Sequence, residues 1–343
     1  MFTLPVSTST LSPSIAPLKT CWGENPIASF CCSATACPEA TSPTMSPTAM
    51  ATCVRLFVLI LLLPSVGAAQ AAARDRLLDR FLAVDAAIVG GSADPARSAA
   101  AGVIARATCP GSGPAREACV VAAVLGEGGI TDLQIAPSPA ENTVTHALAE
   151  RRGSCAAIVA VLLAVGDELN VPFTAIVLRE HVLLGSAAVS GLAYEVLDRG
   201  RPVRLSEIHK YGPLPPGGLV HVSAPDFLPY YLDNLAARFA DAGDAAAAER
   251  LFREATRIAP KVARLRYNLG TFLVQHERYR EGDRELSRAI RRGWIDADAY
   301  VNRGVARWKL GKLADARRDF EQALRLEPGN REAAANLRQL DAP

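Results

Sequence analysis

The chain has 343 residues, half of them hydrophobic, with a formal net charge of +2. That length allows about two domains with real cores. The near-neutral charge and the lack of any Lys/Arg run interleaved with aromatics argue against nucleic acid as a partner. The sequence "GEGG" at Gly126–Gly129 lacks the Lys-Ser/Thr that a phosphate loop needs. No metal-ligand spacing and no cofactor are read from the sequence.

Residues 1–49 are rich in Ser, Thr and Pro, nearly uncharged and without helix or strand period. Such a segment buries too little apolar surface to offset the entropy of ordering it. From Met50 the pattern changes: Arg55, an apolar run Leu56–Leu63, then small residues around Ala69-Gln70-Ala71. This is the layout of a signal peptide over 50–71 and predicts a periplasmic or secreted protein. Residues 1–49 are then a disordered leader or an upstream start. The alternative is an anchor formed by residues 56–69.

Five cysteines (Cys21, Cys31, Cys32, Cys37, Cys53) fall in these segments, leaving Cys109, Cys119 and Cys155. Cys109 and Cys119 bracket a Pro/Gly loop and suit a local disulfide, with Cys155 as the odd thiol. The alternative is three small buried hydrophobes.

The expected fold class is α+β. Residues 75–126 read as short helices with apolar residues at i, i+3, i+4 spacing. Residues 141–153 form another, closed by Gly153, and Ser154 then caps a helix from Cys155 to about Glu168. "FTAIVL", "HVLLGSAAV" and "AYEVLD" read as three antiparallel strands, followed by a linker or covering loop from Arg201 to Gly218. One domain is placed at 72–222.

The last third repeats with a period of 34 from Pro229, Ala263 and Ala297. The first unit carries Leu232, Leu235, Ala236, Phe239, Ala248, Phe252, Ala255 and Pro260. The second carries Leu269, Gly270, Tyr279, Leu286 and Ala289, with Trp294 in place of the usual Pro. The third carries Tyr300, Gly304, Gly311, Ala316, Phe320, Ala323 and Pro328. This predicts an all-α tetratricopeptide array over 223–343, with repeats at 229–262, 263–296 and 297–330 and a solvating cap helix after them. Gly270 and Gly304 let the two helices of a unit approach. The first helices of such units line a groove that takes a protein or peptide. Arg264, Arg266, Asn268, Asn302 and Arg303 are the candidate contacts, or else ordinary solvated positions.

Cys155 carries the candidate chemistry. A thiol at a helix start is favoured as an anion by the helix dipole, and Arg151 and Arg152 precede it. Cysteine catalysis also needs a base and a group that orients it. His181 heads the second strand; Asp198 ends the third, with Glu195 as runner-up. A strand cap and a turn residue explain His181 and Asp198 equally well.

The stretch from Glu141 to Gly185, with Asn142, the Arg151-Arg152-Gly153-x-Cys155 turn and the strand leading to His181, resembles the core of bacterial transglutaminase-like proteins of the SirB type. These often end in tetratricopeptide repeats. The resemblance covers roughly 120–343. It implies a papain-like domain in which Cys155 is nucleophile, His181 base and acid, and Asp198 the orienter, with Asn142 a candidate for the oxyanion site. It also implies a hydrolase or acyl transferase acting on amide or ester bonds. The family's usual Pro-Gly-His-Phe is here Arg179-Glu180-His181-Val182, and some relatives lack the Cys. The competing class is therefore a non-catalytic repeat scaffold with a degenerate transglutaminase-like domain.

Overall fold

The computed structural model describes residues 76–134, 136–211 and 214–341. The expected leader, signal and anchor segments lie outside the described residues. Three helices open the fold: α1 (Leu77–Val89), α2 (Asp94–Arg106) and α3 (Gly113–Leu125). A disulfide joins Cys109 to Cys119, across the turn between α2 and α3. A loop then leads to a short helix, α4 (Val144–Ala149), whose Thr143 cap accepts from the His146 N–H.

Helix α5 (Cys155–Glu168) is buried along its whole length from Cys155 to Gly166. A helix apolar on all sides belongs inside, and this one is the axis of the core. Ser154 caps it, accepting from the Ala157 N–H. Gly153 does not close α4, which ends at Ala149 and turns through Arg151 at positive φ. A Cβ on Gly153 would stand 3.0 Å from the Ala147 Cβ, so glycine there serves close packing of the α4–α5 turn.

Five antiparallel strands follow: β1 (Phe173–Val177), β2 (Val182–Ser186), β3 (Leu192–Glu195), β4 (Arg201–Arg204) and β5 (Val220–Ser223), in the order β4-β3-β2-β1-β5. Strand β4 falls in the stretch expected to be linker or covering loop, and β5 follows just beyond it. Both are only four residues long, and β4 carries Pro202, which a strand tolerates at a sheet edge. Strand alternation divides the sheet's side chains. Phe173, Ala175, Val177, Val182, Leu184 and Tyr194 face α5. Ile176, Leu183, Ala193 and Val203 point the other way, where Ile208 covers them from a 3-10 segment, Leu205–Tyr211.

The C-terminal part is three helix pairs and a final helix. They are α6 (Leu228–Asp241) with α7 (Ala245–Ile258), α8 (Ala263–Gln275) with α9 (Tyr279–Arg291), α10 (Ala297–Lys309) with α11 (Leu313–Leu326), and α12 (Arg331–Asp341). Within pairs the backbones approach closely. A Cβ on Gly270 would lie 2.8 Å from Leu286, and one on Gly304 would lie 2.6 Å from the Phe320 ring. The fold is thus a helical repeat array with a small antiparallel sheet beside it.

The two halves share one core, since Leu232, Leu235 and Phe252 pack in the same cluster as α5. A polar staple crosses the junction. Tyr231 donates to the buried Asp85 at 2.6 Å and accepts from the Val144 N–H, while Asp85 also accepts from the Thr145 N–H and hydroxyl. Burial pushes the Asp85 carboxyl up, against the hydrogen bonds that lower it.

Candidate functional site

Cys155 is the free cysteine of the described residues and is buried at the first turn of α5. His181 stands at the entry to β2, after the tight turn in which the Leu178 N–H donates to the His181 carbonyl. Its Nε2 lies 2.8 Å from Glu195 Oε2, and both side chains are largely buried. Burial alone would lower the imidazole pKa. Hydrogen bonds to Cys155 and Glu195, and the charges of both, outweigh burial and push His181 up to about 10. The Cys155 sulfur and the Glu195 carboxylate both favour the protonated imidazole.

The expected orienter, Asp198, is elsewhere. β3 ends at Glu195, and the chain enters a 3-10 turn that carries Asp198 to the surface, where it pairs with Arg201. Glu195, the runner-up, holds the imidazole instead. Its other oxygen accepts from the Leu197 N–H, which fixes the carboxylate. Asp198 reaches the site only at second hand. Arg201 also donates to the Tyr211 hydroxyl, and the Tyr211 ring stacks on His181 at 5.4 Å. Tyr211 was not singled out from the sequence; its segment read as loop, with nothing to mark it.

Asn142 does not offer a free amide. Its Nδ2 donates to the Ala136 and Ser138 carbonyls and its Oδ1 accepts from the Ala136 N–H, so it braces its own loop. Arg152 is likewise occupied, 3.2 Å from Asp132.

The candidate groove residues are engaged within the chain. Arg264 donates to the Leu178 and Arg179 carbonyls and approaches Asp233 at 3.4 Å. Asn268 donates to both Asp233 oxygens. Arg266 is nearly buried, bonded to the Pro260 carbonyl and Glu285. Asn302 donates to Thr271, and Arg303 makes a fork onto Asp319. Arginine on a helix face reads as solvated in sequence, because the carboxylate that claims it lies on another helix, 16 to 31 residues away.

The repeats also grip the turn that carries His181. Arg179 reaches Asp296 at 2.8 Å and Asp298 at 3.4 Å, and its guanidinium lies 6.0 Å from the Trp294 ring. Trp294, in the place of the usual Pro, is buried and stacks on Tyr267 at 5.1 Å.

Stacked helix pairs of 34-residue period define a repeat protein, and residues 297–330 match the tetratricopeptide repeat family. The chain carries tetratricopeptide repeats. It is similar to RNA polymerase II-associated protein 3 of rat, 46% identical over 61 residues, and of human, 43% identical over 60. Those matches span 18% of this chain and 9% of each relative. Among solved structures, it is similar to the second repeat domain of human RPAP3 in complex with the HSP70 peptide SGPTIEEVD. The identity is 27%, covering 34% of this chain and 99% of that one, with a TM-score of 0.32. It is also similar to YrrB, a repeat protein with an unusual peptide-binding site, at 21% identity over 32% of this chain and 57% of that one, TM-score 0.31. The expected periplasmic or secreted location is contradicted by the curated relatives, which are RNA polymerase II-associated proteins of rat, mouse and human. Among the described residues no helix is long and apolar enough to cross a membrane.

Proposed function

We propose that the protein is a peptide-binding repeat adaptor: its tetratricopeptide array recognises an extended segment of a protein partner, and the sheet half braces that array. The observation that carries this reading is the array itself, three helix pairs closely packed at Gly270 and Gly304 and followed by α12. Stacked repeats present an extended surface to a chain. Arg264 and Arg179 lock the sheet half to that array, so it serves as a rigid flank. The test is a randomised peptide array probed with the full chain. Reproducible capture of one sequence class is the expected result; capture of none sinks the reading.

The geometry at Cys155 favours a second reading, a transglutaminase-like, papain-like cysteine hydrolase or acyl transferase. Cysteine chemistry runs through the thiolate, and here an imidazolium held by Glu195 supplies the neighbouring positive charge. In this reading the Cys155 sulfur attacks a carbonyl carbon, and the tetrahedral adduct collapses to a thioester. The leaving amine or alcohol takes its proton from His181. Water or an amine then attacks the thioester, returns a proton to His181 and frees the thiol. Glu195, not Asp198, orients the imidazole. Labelling with a thiol-reactive probe at neutral pH decides. Rapid modification of Cys155 that slows about tenfold or more in His181→Ala supports this reading. Slow modification indifferent to His181 leaves the adaptor alone.

A further inference from the structure

The described residues expose five large hydrophobic side chains, and three of them, Leu214, Ile295 and Leu326, meet at one place. Each is more than 40% exposed, and they line a cleft of about 300 Å³. The cleft lies between the Arg179 turn, the segment that begins at Leu214, the start of α10 and the end of α11. Isolated exposed leucines are ordinary; a group of them around one concavity marks a contact surface.

The charge of the lining is one-sided. Asp296, Asp298 and Glu327 face one cation, Arg179. Asp296 takes the closer contact with that guanidinium and also caps α10 by accepting from the Ala299 N–H, so both the cation and the helix end are already met. Asp298, 39% exposed, lies farther from Arg179, and Glu327 has only the neutral Asn330 amide. The excess is felt nearby: burial pushes the Glu332 carboxyl up, and the negative charge of Asp298 pushes it further.

We infer that this cleft binds a segment in which a lysine or arginine side chain is flanked by aliphatic ones, the cation meeting Asp298 and Glu327 and the aliphatic groups resting on Leu214, Ile295 and Leu326. The inference rests on the peptide-binding reading and names the class of peptide. It moves the contact away from the candidate groove residues, whose charges are met inside the chain, to the junction of the third repeat with the His181 turn. A cation there is drawn by opposite charge, and the aliphatic neighbours supply the burial that an exposed ion pair lacks.

The test titrates the full chain with two acetylated, amidated peptides of alternating sequence, leucine with lysine and leucine with glutamate. The lysine peptide is expected to bind, and its affinity to fall as salt rises. It should also fall about tenfold in the double variant Asp298→Asn, Glu327→Gln, the size expected of two partly screened pairs. Leu326→Ser, a surface change that leaves the fold intact, should weaken it about fivefold through lost apolar contact alone. The glutamate peptide is expected to bind at least about tenfold more weakly, as like charge predicts. Equal or tighter binding of the glutamate peptide overturns the inference. So does lysine-peptide binding that ignores both the double variant and Leu326→Ser. In either case peptide binding itself survives. If neither peptide binds, the inference falls. The randomised array then separates its failure from that of the adaptor reading, since capture of another sequence class leaves the adaptor standing.

Discussion

The two halves of the molecule handle buried charge in opposite ways. In the sheet half, single carboxylates go deep and are satisfied mainly by neutral donors. Glu117 on α3 accepts from the Ser186 hydroxyl, the Ala187 and Ala188 N–H groups and the Tyr194 hydroxyl, and Asp85 accepts from Tyr231 and Thr145. In the repeats, carboxylates are met by cations from other helices: Asp319 by Arg303 and Arg307 of its own helix pair, and Asp283 by Arg307 and Lys312 of the next pair. A neutral-donor pocket fixes one local geometry, whereas arginine ladders share the load along the array. Loss of one buried acid in the sheet half should therefore cost more than any single change in the ladder.

Glu117→Ala is the sharpest break. It leaves two backbone N–H groups and two hydroxyls between α3 and the β2–β3 turn without their acceptor. The expected cost is about 3 kcal/mol, because four hydrogen bonds are lost at once and the buried Tyr194 hydroxyl is left without its acceptor. Urea denaturation measures it. A cost no larger than that of Arg303→Ala would remove the contrast between the halves.

Gly304→Ala tests the repeats by volume. The new methyl would meet the Phe320 ring at 2.6 Å, and overpacking of this kind costs about 2 kcal/mol. Gly311→Ala, at a repeat turn with φ of 75° and nothing within 4 Å, isolates backbone strain from crowding. It should cost about 1 kcal/mol, the usual left-handed penalty. If Gly311→Ala proves the more damaging, close helix approach is not what the glycine at 304 provides.

The repeats were readable because their pattern is local and recurs: the same residue types return every 34 positions, and each unit touches mainly its neighbours. The helix at Cys155 was also readable, from Ser154 and the unbroken apolar run behind it. The partners of His181 were not. Which of Glu195 and Asp198 turns inward depends on where β3 stops, and three residues separate a strand end from a solvent-facing turn. The strands at Arg201–Arg204 and Val220–Ser223 escaped for a related reason. They are too short to show alternation, and their pairing with β3 and β1 is a property of the sheet. Nor could any local pattern show that Arg264 is spent on the carbonyls of Leu178 and Arg179, 85 or more residues earlier.

The titration of His181 separates Glu195 from Asp198 most cleanly. Followed by NMR of its ring protons, His181 should stay protonated past neutrality and titrate near 10. Its folded pKa is raised, so its contribution to stability is fully present below the unfolded value of about 6.5 and is lost as pH rises through about 10. Glu195→Gln keeps a hydrogen-bonding oxygen but removes the charge, and should lower the His181 midpoint by about one unit, worth about 1.4 kcal/mol. Asp198→Asn should leave that midpoint where it is, because Asp198 spends its charge on Arg201 at the surface. A shift from Asp198→Asn matching that from Glu195→Gln would show that the carboxylate acting on the imidazole is the one expected from the sequence. It would also show that β3 runs past Glu195 in solution.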